Sequence, residues 1–397
     1  MGILANSVAG YLHNASWIRR MFEAGTKLKA EYGNDKVQDF SLGNPDLPAP
    51  SAVYEGLEKF LAHAREPFAF GYMSNAGFPW LREKLADYLT KEQGVSLTAN
   101  DVILSCGAAG ALNAFLRAVI DPGDEMLCFA PYFVEYGFYV ANYGGNLKAI
   151  KTDESTFEPD PESLRKAISP QTKVLLINSP NNPTGAVYSK ETLVALAAVL
   201  SEKSAEIGHP IWLVSDEPYR FLAYDGVSVP SVLPLYPYSV CVSSFSKNLS
   251  LPGERLGYAA LAPDLPEKET VIAALTLTNR ILGYVNPPVV GQQIMGHALG
   301  SHVDKSIYEK RRKAMAEVLT QAGYSYVMPK GAFYFFPKAP GGDDVAFVNA
   351  LAKELVLAVP GSGFGLPGYF RLAFCVDETV IRAALPGFTK ARALFTK

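Results

Sequence analysis

The chain has 397 residues, 49% hydrophobic and 19% charged, enough apolar material for two or three cored units and a composition unlike that of disordered proteins. Its 36 Lys and Arg against 39 Asp and Glu leave a net charge of −3; with no basic block, nucleic acid is excluded as the main partner. No apolar run reaches about eighteen residues, so no membrane span is expected, and the opening MGILANSVAGYLHNASWIRRMFEAG does not read as a secretory signal.

Cys106, Cys128, Cys241 and Cys375 form no CxxC pair, and only five His accompany them. No metal site is expected, and free thiols fit a reducing cytoplasm. Few charges beside 12% aromatic residues hint that another subunit covers part of the surface.

Residues 1–45 contain one amphipathic helix and the turn SLGNPDLPAP, expected to pack on a smaller domain. WLREKLADYL reads as a helix; the strand DVILS (101–105) follows, then the helix GALNAFLRAV. EMLCFA (125–130) precedes the helical YFVEYGFYVANY. KVLLINS (173–179) and IWLVS (211–215) flank the helix ETLVALAAVLSEKS, and SVCVSSF (239–245) and LGYAALA (256–262) close the series. Short apolar strands alternating with helices predict an α/β domain over 46–286, a mostly parallel central sheet with helices on both faces. From 287 to 397 long helices mix with AFYFFP, VLAVP and YFRLAF, which predicts a smaller α+β domain, so that this domain is built from both termini.

In such sheets binding residues belong on the loops at the carboxyl ends of the strands. There the chain offers Asp216 in DEPYR, Ser246-Lys247 with Arg255 eight residues on, Asn181 and Asn182 in PNNPTG, and the small residues CGAAGAL opening a helix. A carboxylate at a buried strand tip needs a cation or a proton, and a helix start leaves N–H groups free for an anion. An amine, a carboxylate, a guanidinium, an amide and an anion site would serve an aldehyde, a basic ring nitrogen, a phenolic oxygen and a phosphate. Pyridoxal phosphate carries that set. Each residue alone has a plainer reading: Lys247 as a surface lysine, Asp216 as a helix cap, Tyr72 and Phe133 as core rings, Ser244 as a strand-end hydroxyl, Arg371 as the partner of an internal carboxylate.

Taken in order, SLGNPD (41–46), GYMSNAGFPWLREKL (71–85), CGAAGAL (106–112), PYF (131–133), NSPNNPTG (178–185), DEPYR (216–220), SFSKNLSLPGERLGY (244–258), PKGAFYFF (329–336) and YFRLAF (369–374) resemble the class I/II aminotransferases, pyridoxal-phosphate enzymes of fold type I, nearly end to end. The resemblance implies that Lys247 forms the Schiff base and moves the proton, while Asp216 keeps the ring nitrogen protonated. Tyr219 and Asn182 would hold the phenolic oxygen and Phe133 would stack on the ring. Ala108, Ala109, Ser244 and Arg255 would bind the phosphate, with Tyr72 reaching the neighbouring subunit's phosphate in a homodimer. Arg371 would clamp the substrate α-carboxylate with Asn182 and Gly43. The implied reaction is ping-pong transfer of an amino group from an L-α-amino acid to a 2-oxo acid.

Two departures stand out. GAAG carries no side-chain donor for the phosphate. Ile281 stands five residues before Asn286, where dicarboxylate-specific members often place Arg, with Arg280 beside it. Tyr11, His13, Trp17 and Arg280 are candidates for the wall against the substrate side chain. A carbon–sulfur β-lyase would use the same lysine and cofactor. Ser244-x-x-Lys247 also spells the acyl-enzyme motif of serine hydrolases, but no KTG element follows. Gly363, Gly365 and Gly368 spell GxGxxG without the following helix that a dinucleotide site needs.

Overall fold

The computed structural model describes residues 3–13 and 17–396. The chain divides into a larger unit, residues 45–305 with 330–332, and a smaller one, residues 1–44, 306–329 and 333–397.

Seven strands form the sheet of the larger unit: β1 Val102–Ser105, β2 Glu125–Ala130, β3 Asn146–Lys151, β4 Thr172–Asn178, β5 Trp212–Asp216, β6 Ser239–Ser244 and β7 Gly257–Leu261. Their order is β1-β7-β6-β5-β4-β2-β3. β7 runs antiparallel to β1 and β6, and every other pair is parallel. The carboxyl ends of β1, β2, β4, β5 and β6 therefore share one edge of the sheet with the start of β7. β1, β5, β6 and β7 are buried along their whole length, as strands covered on both faces must be. Helix Gly107–Val119 lays Ala111, Leu112, Phe115 and Leu116 on that sheet, where Phe115 meets Trp212 edge-on at 5.2 Å. β3 escaped the sequence reading: only Ile150 of its six residues is buried, so it lacks the apolar run that betrayed the others.

The expected boundary at 286/287 is corrected. Residues 287–305 belong to the larger unit because helix Val289–Ala298 packs on helix Ser51–His63. A Cβ on Gly56 would stand 3.0 Å from Ile294 O, and one on Gly296 would stand 2.5 Å from the Trp80 ring. Gly56 is what that close approach requires, and Gly296 lets the same helix meet Trp80 of helix Pro79–Gln93.

In the smaller unit Gln38–Asp39 pairs in parallel with Val356–Leu357. Phe370–Ala373 lies between antiparallel Val359–Pro360 and Tyr334–Phe335. Tyr324, Phe347, Phe370 and Phe388 build an aromatic core beneath.

Candidate active site

Asp216 ends β5 and is 6% exposed. Its Oδ2 accepts a 2.6 Å hydrogen bond from Tyr136 Oη, while its buried Oδ1 has no hydrogen-bond partner among the described residues. Burial drives the carboxyl up to about 7; the Tyr136 hydrogen bond opposes that shift and the neighbouring Glu217 charge adds to it. Tyr136 stays a donor because burial first, and the Asp216 charge second, push it well above the usual phenol range. The Phe133 ring stands edge-on to Tyr136 at 5.6 Å and 85°. Tyr136 is thus the functional neighbour that the sequence reading missed. Its only signal was its position three residues after Phe133, one helical turn on, in a segment rich in ordinary core rings.

The loop after β4 is fastened to the same place. Asn178 Nδ2 donates to Asp216 O at 2.8 Å, and Asn178 Oδ1 accepts from Asn182 N at 2.7 Å. Asn181 Oδ1 accepts from Thr184 N and Oγ1 at 3.1 and 2.8 Å, the local side-chain bonding that favours turns at Asn. Asn182 and Tyr219 are buried. Phe245 N donates to Leu256 O at 3.2 Å across the β6–β7 connection, which holds the half-buried Lys247 and, at its far end, Arg255.

Arg255 sits at φ 52°, and its Nη1 donates to Pro252 O at 2.9 Å. Its guanidinium lies over the start of helix Gly107–Val119: a Cβ on Gly107, at φ +75°, would stand 2.9 Å from Arg255 Nη2. Gly257 faces both Ser105 and Ser244 in the sheet. A Cβ there would come within 2.4 Å of Gly107 C and 2.5 Å of Ala108 N. Glycine at 257 thus lets the strand approach the helix start at Ala108, beside the Arg255 guanidinium and opposite the buried Ser244 in the sheet, and a helix start beside a guanidinium favours an anion. Arg255 itself is exposed, and Tyr72 is 91% exposed.

In the smaller unit Arg371 is 2% exposed. Nη2 donates to Ser41 O at 2.5 Å, and the guanidinium stacks 4.9 Å from the Tyr334 ring and 4.8 Å from the Phe364 ring. A Cβ on Gly43 would overlap Tyr334 Oη at 2.1 Å, so the turn at 43 closes on that ring only as glycine. Tyr11 and Trp17 are half-buried in this unit; the His13 side chain lies outside the described residues. Arg280, in the larger unit, is exposed, as is Ile281.

The family model for aminotransferase class I and II matches residues 35–387. The chain belongs to that family. This aminotransferase is 35% identical over 363 residues to the aspartate/prephenate aminotransferase of Thermus thermophilus, covering 88% of this chain and 89% of the relative. Among solved structures it resembles an amino transferase from Eubacterium rectale, with TM-score 0.95 and 38% identity over all of both chains. It also resembles the Thermus thermophilus aspartate aminotransferase with maleate, with TM-score 0.87 and 32% identity over 98% and 100% of the two chains. The aminotransferase therefore moves an amino group between amino and 2-oxo acids and is pyridoxal-phosphate dependent. Lyase and acyl-enzyme chemistry are not favoured. Its residues fit the cofactor: the buried, unpartnered Asp216 Oδ1 is the acceptor a protonated ring nitrogen requires, and the Gly107–Gly257 approach makes a cradle that a side chain would fill.

Proposed function

We propose that this aminotransferase acts on L-aspartate and a 2-oxo acid as a cytoplasmic homodimer, with the carboxylate of Asp216 facing the ring nitrogen of the cofactor. The substrate class is supported by the relatives named as aspartate aminotransferases, and the subunit arrangement by the exposed Phe68, Phe70 and Tyr72, 92%, 62% and 91% accessible. Rings in such a group fit a covered surface. Tyr72 would then meet the partner's phosphate.

When bound, pyridoxal phosphate supplies an electrophilic carbon for the amino group and a ring that takes up the electron pair left at the substrate Cα. Lys247 would hold the aldehyde carbon until substrate arrives, and its Nζ would then take the Cα proton and deliver it to that cofactor carbon. Asp216 Oδ1 would accept from the protonated ring nitrogen, with Tyr136 restraining the carboxylate. Asn182 and Tyr219 would donate to the phenolic oxygen. Ala108 N, Ala109 N, Ser244 and Arg255 would hold the phosphate. Arg371 would bind the α-carboxylate of donor and acceptor alike, with Asn182 and Gly43 beside it, since its planar fork matches a carboxylate. Phe133 would cover the ring and exclude water.

The observation that carries the reading is the buried, unpartnered Asp216 Oδ1. The test is the visible spectrum of the purified holoenzyme with single amino acids and no acceptor. The cofactor band is expected to bleach with L-aspartate and to return with a 2-oxo acid. A band indifferent to L-aspartate and bleached by another amino acid would overturn the substrate assignment. A Lys247→Ala protein that still turned over at the full rate would overturn the lysine's role.

A further inference from the structure

The carboxylate next to Asp216 is braced more heavily than Asp216 itself. Glu217 is 2% exposed. Its Oε1 accepts from Ser215 Oγ at 2.7 Å, and its Oε2 accepts from Gln93 Nε2 at 3.0 Å and Arg220 Nη1 at 2.9 Å. Its backbone is pinned as well: N donates to Val242 O at 2.8 Å, and O accepts from Ser243 Oγ at 3.0 Å. Arg220 spreads the tie further, to Glu92 O at 3.3 Å, Val229 O at 2.6 Å and Pro230 O at 3.3 Å. A buried carboxylate is costly unless paired and hydrogen-bonded, and the roles given above leave this one without a task.

We propose that Glu217, clamped by Arg220, Gln93 and Ser215, is a positioning residue for the cofactor ring: it stiffens the turn from Asp216 to Tyr219 and sets a second negative charge behind Asp216, so that the ring nitrogen keeps its proton. This rests on the reading of Asp216 as the partner of the ring nitrogen. After burial, which dominates, the Glu217 charge is what raises the Asp216 carboxyl, so its field reaches the place where a pyridinium would be stabilised. Glu217 adjoins Asp216 in the chain, while the Arg220 guanidinium is shared with Glu92 and the 229–230 loop. Of the two charges of the pair, that of Glu217 is the one that acts on the Asp216 carboxyl.

The test measures the affinity of the apoprotein for pyridoxal phosphate and for its 1-deaza analogue, in which a C–H replaces the ring nitrogen. Both are titrated by quenching of tryptophan fluorescence. Glu217→Gln keeps the shape and removes the charge; it is expected to weaken pyridoxal phosphate about tenfold, one pK unit of charge interaction, and the analogue by less than about twofold. Equal weakening of both ligands would show a purely structural role and overturn the proposal, as would no weakening of either. Asp216→Asn is the reference: if it fails to discriminate between the ligands, the underlying reading of Asp216 falls. If it discriminates while Glu217→Gln does not, only the present inference falls. Should Glu217→Gln not fold, the double variant Glu217→Leu/Arg220→Met decides by the same selectivity, because it removes the buried ion pair as a unit and leaves no unpaired charge.

Discussion

Replacing Asp216 by Asn has opposite consequences with and without cofactor. In the apoprotein burial lifts the Asp216 carboxyl from its usual 3.8 to about 7. The folded state then retains a proton that the unfolded chain releases from about pH 4 upward. With the folded pKa raised, the chain is most stable below the unfolded value and loses stability as pH rises through that window. The loss levels off above pH 7. Between pH 5 and pH 8.5 the cost amounts to roughly 3 kcal/mol, two pK units at about 1.4 kcal/mol each. Asn cannot ionise, and its Oδ1 can still accept from Tyr136. Apo Asp216→Asn should therefore gain on the wild-type apoprotein by roughly 3 kcal/mol on going from pH 5 to pH 8.5. Urea unfolding at the two pH values measures this, with Trp80 and Trp212 reporting on the larger unit. With pyridoxal phosphate bound the order should reverse, since the ring proton loses its acceptor. A stability gap that does not change with pH would refute the argument from burial.

Gly257→Ala should abolish cofactor retention and destabilise the larger unit by several kcal/mol, because the added Cβ meets backbone at Gly107, Ala108 and Ser243 that cannot rotate away; absorbance of the purified protein and its thermal unfolding check both. Cys106 is the N-cap residue of helix Gly107–Val119 and is the only cysteine among the four that is not buried. A thiol reagent should modify one cysteine in the apoprotein, and pyridoxal phosphate should slow that reaction at least ~10-fold if the phosphate covers the helix start. Burial raises the Cys106 thiol while Arg255 opposes it, so Arg255→Gln should push the alkylation profile to higher pH. Arg371→Lys keeps charge without the fork and should cut kcat/KM for every amino acid ~100-fold, with the cofactor spectrum unchanged; steady-state kinetics across several donors would show it.

The candidate residues of the larger sheet stood out in the sequence because they lie where an apolar run stops. DEPYR and SFSKN end strands buried along their whole length, and PNNPTG follows one buried at every residue but Lys173, so the sequence places their polar groups at one sheet edge. Tyr136 was hidden because a buried tyrosine that makes one decisive hydrogen bond has the same local pattern as a core ring. Asn178 was hidden in the same way, as the last residue of a strand whose amide ties two loops. The strand Asn146–Lys151 was missed because it lies at the sheet's edge, where lysines and other exposed residues replace the apolar run. The unit boundary was misplaced by nineteen residues because NPPVV marks a turn without revealing that the next helix packs back on Ser51–His63. That contact depends on Gly56, whose partner Ile294 lies far away in the chain.

The antiparallel β6–β7 pair also bears on the order in which the site is assembled. Every parallel pair in this sheet must wait for a crossover, and β1 joins only when Val102 finds Ala260. The β6–β7 hairpin needs no such closure, and pairings between near neighbours in sequence form fastest. Lys247 and Arg255, the proposed anchors of the two ends of the cofactor, lie on that one short connection. Their spacing is set within a local hairpin, whereas the helix start proposed to complete the phosphate site arrives from the far end of the unit. The two ends of the proposed cofactor site thus differ in folding cost: one is set within a hairpin, and the other waits for a long-range pairing.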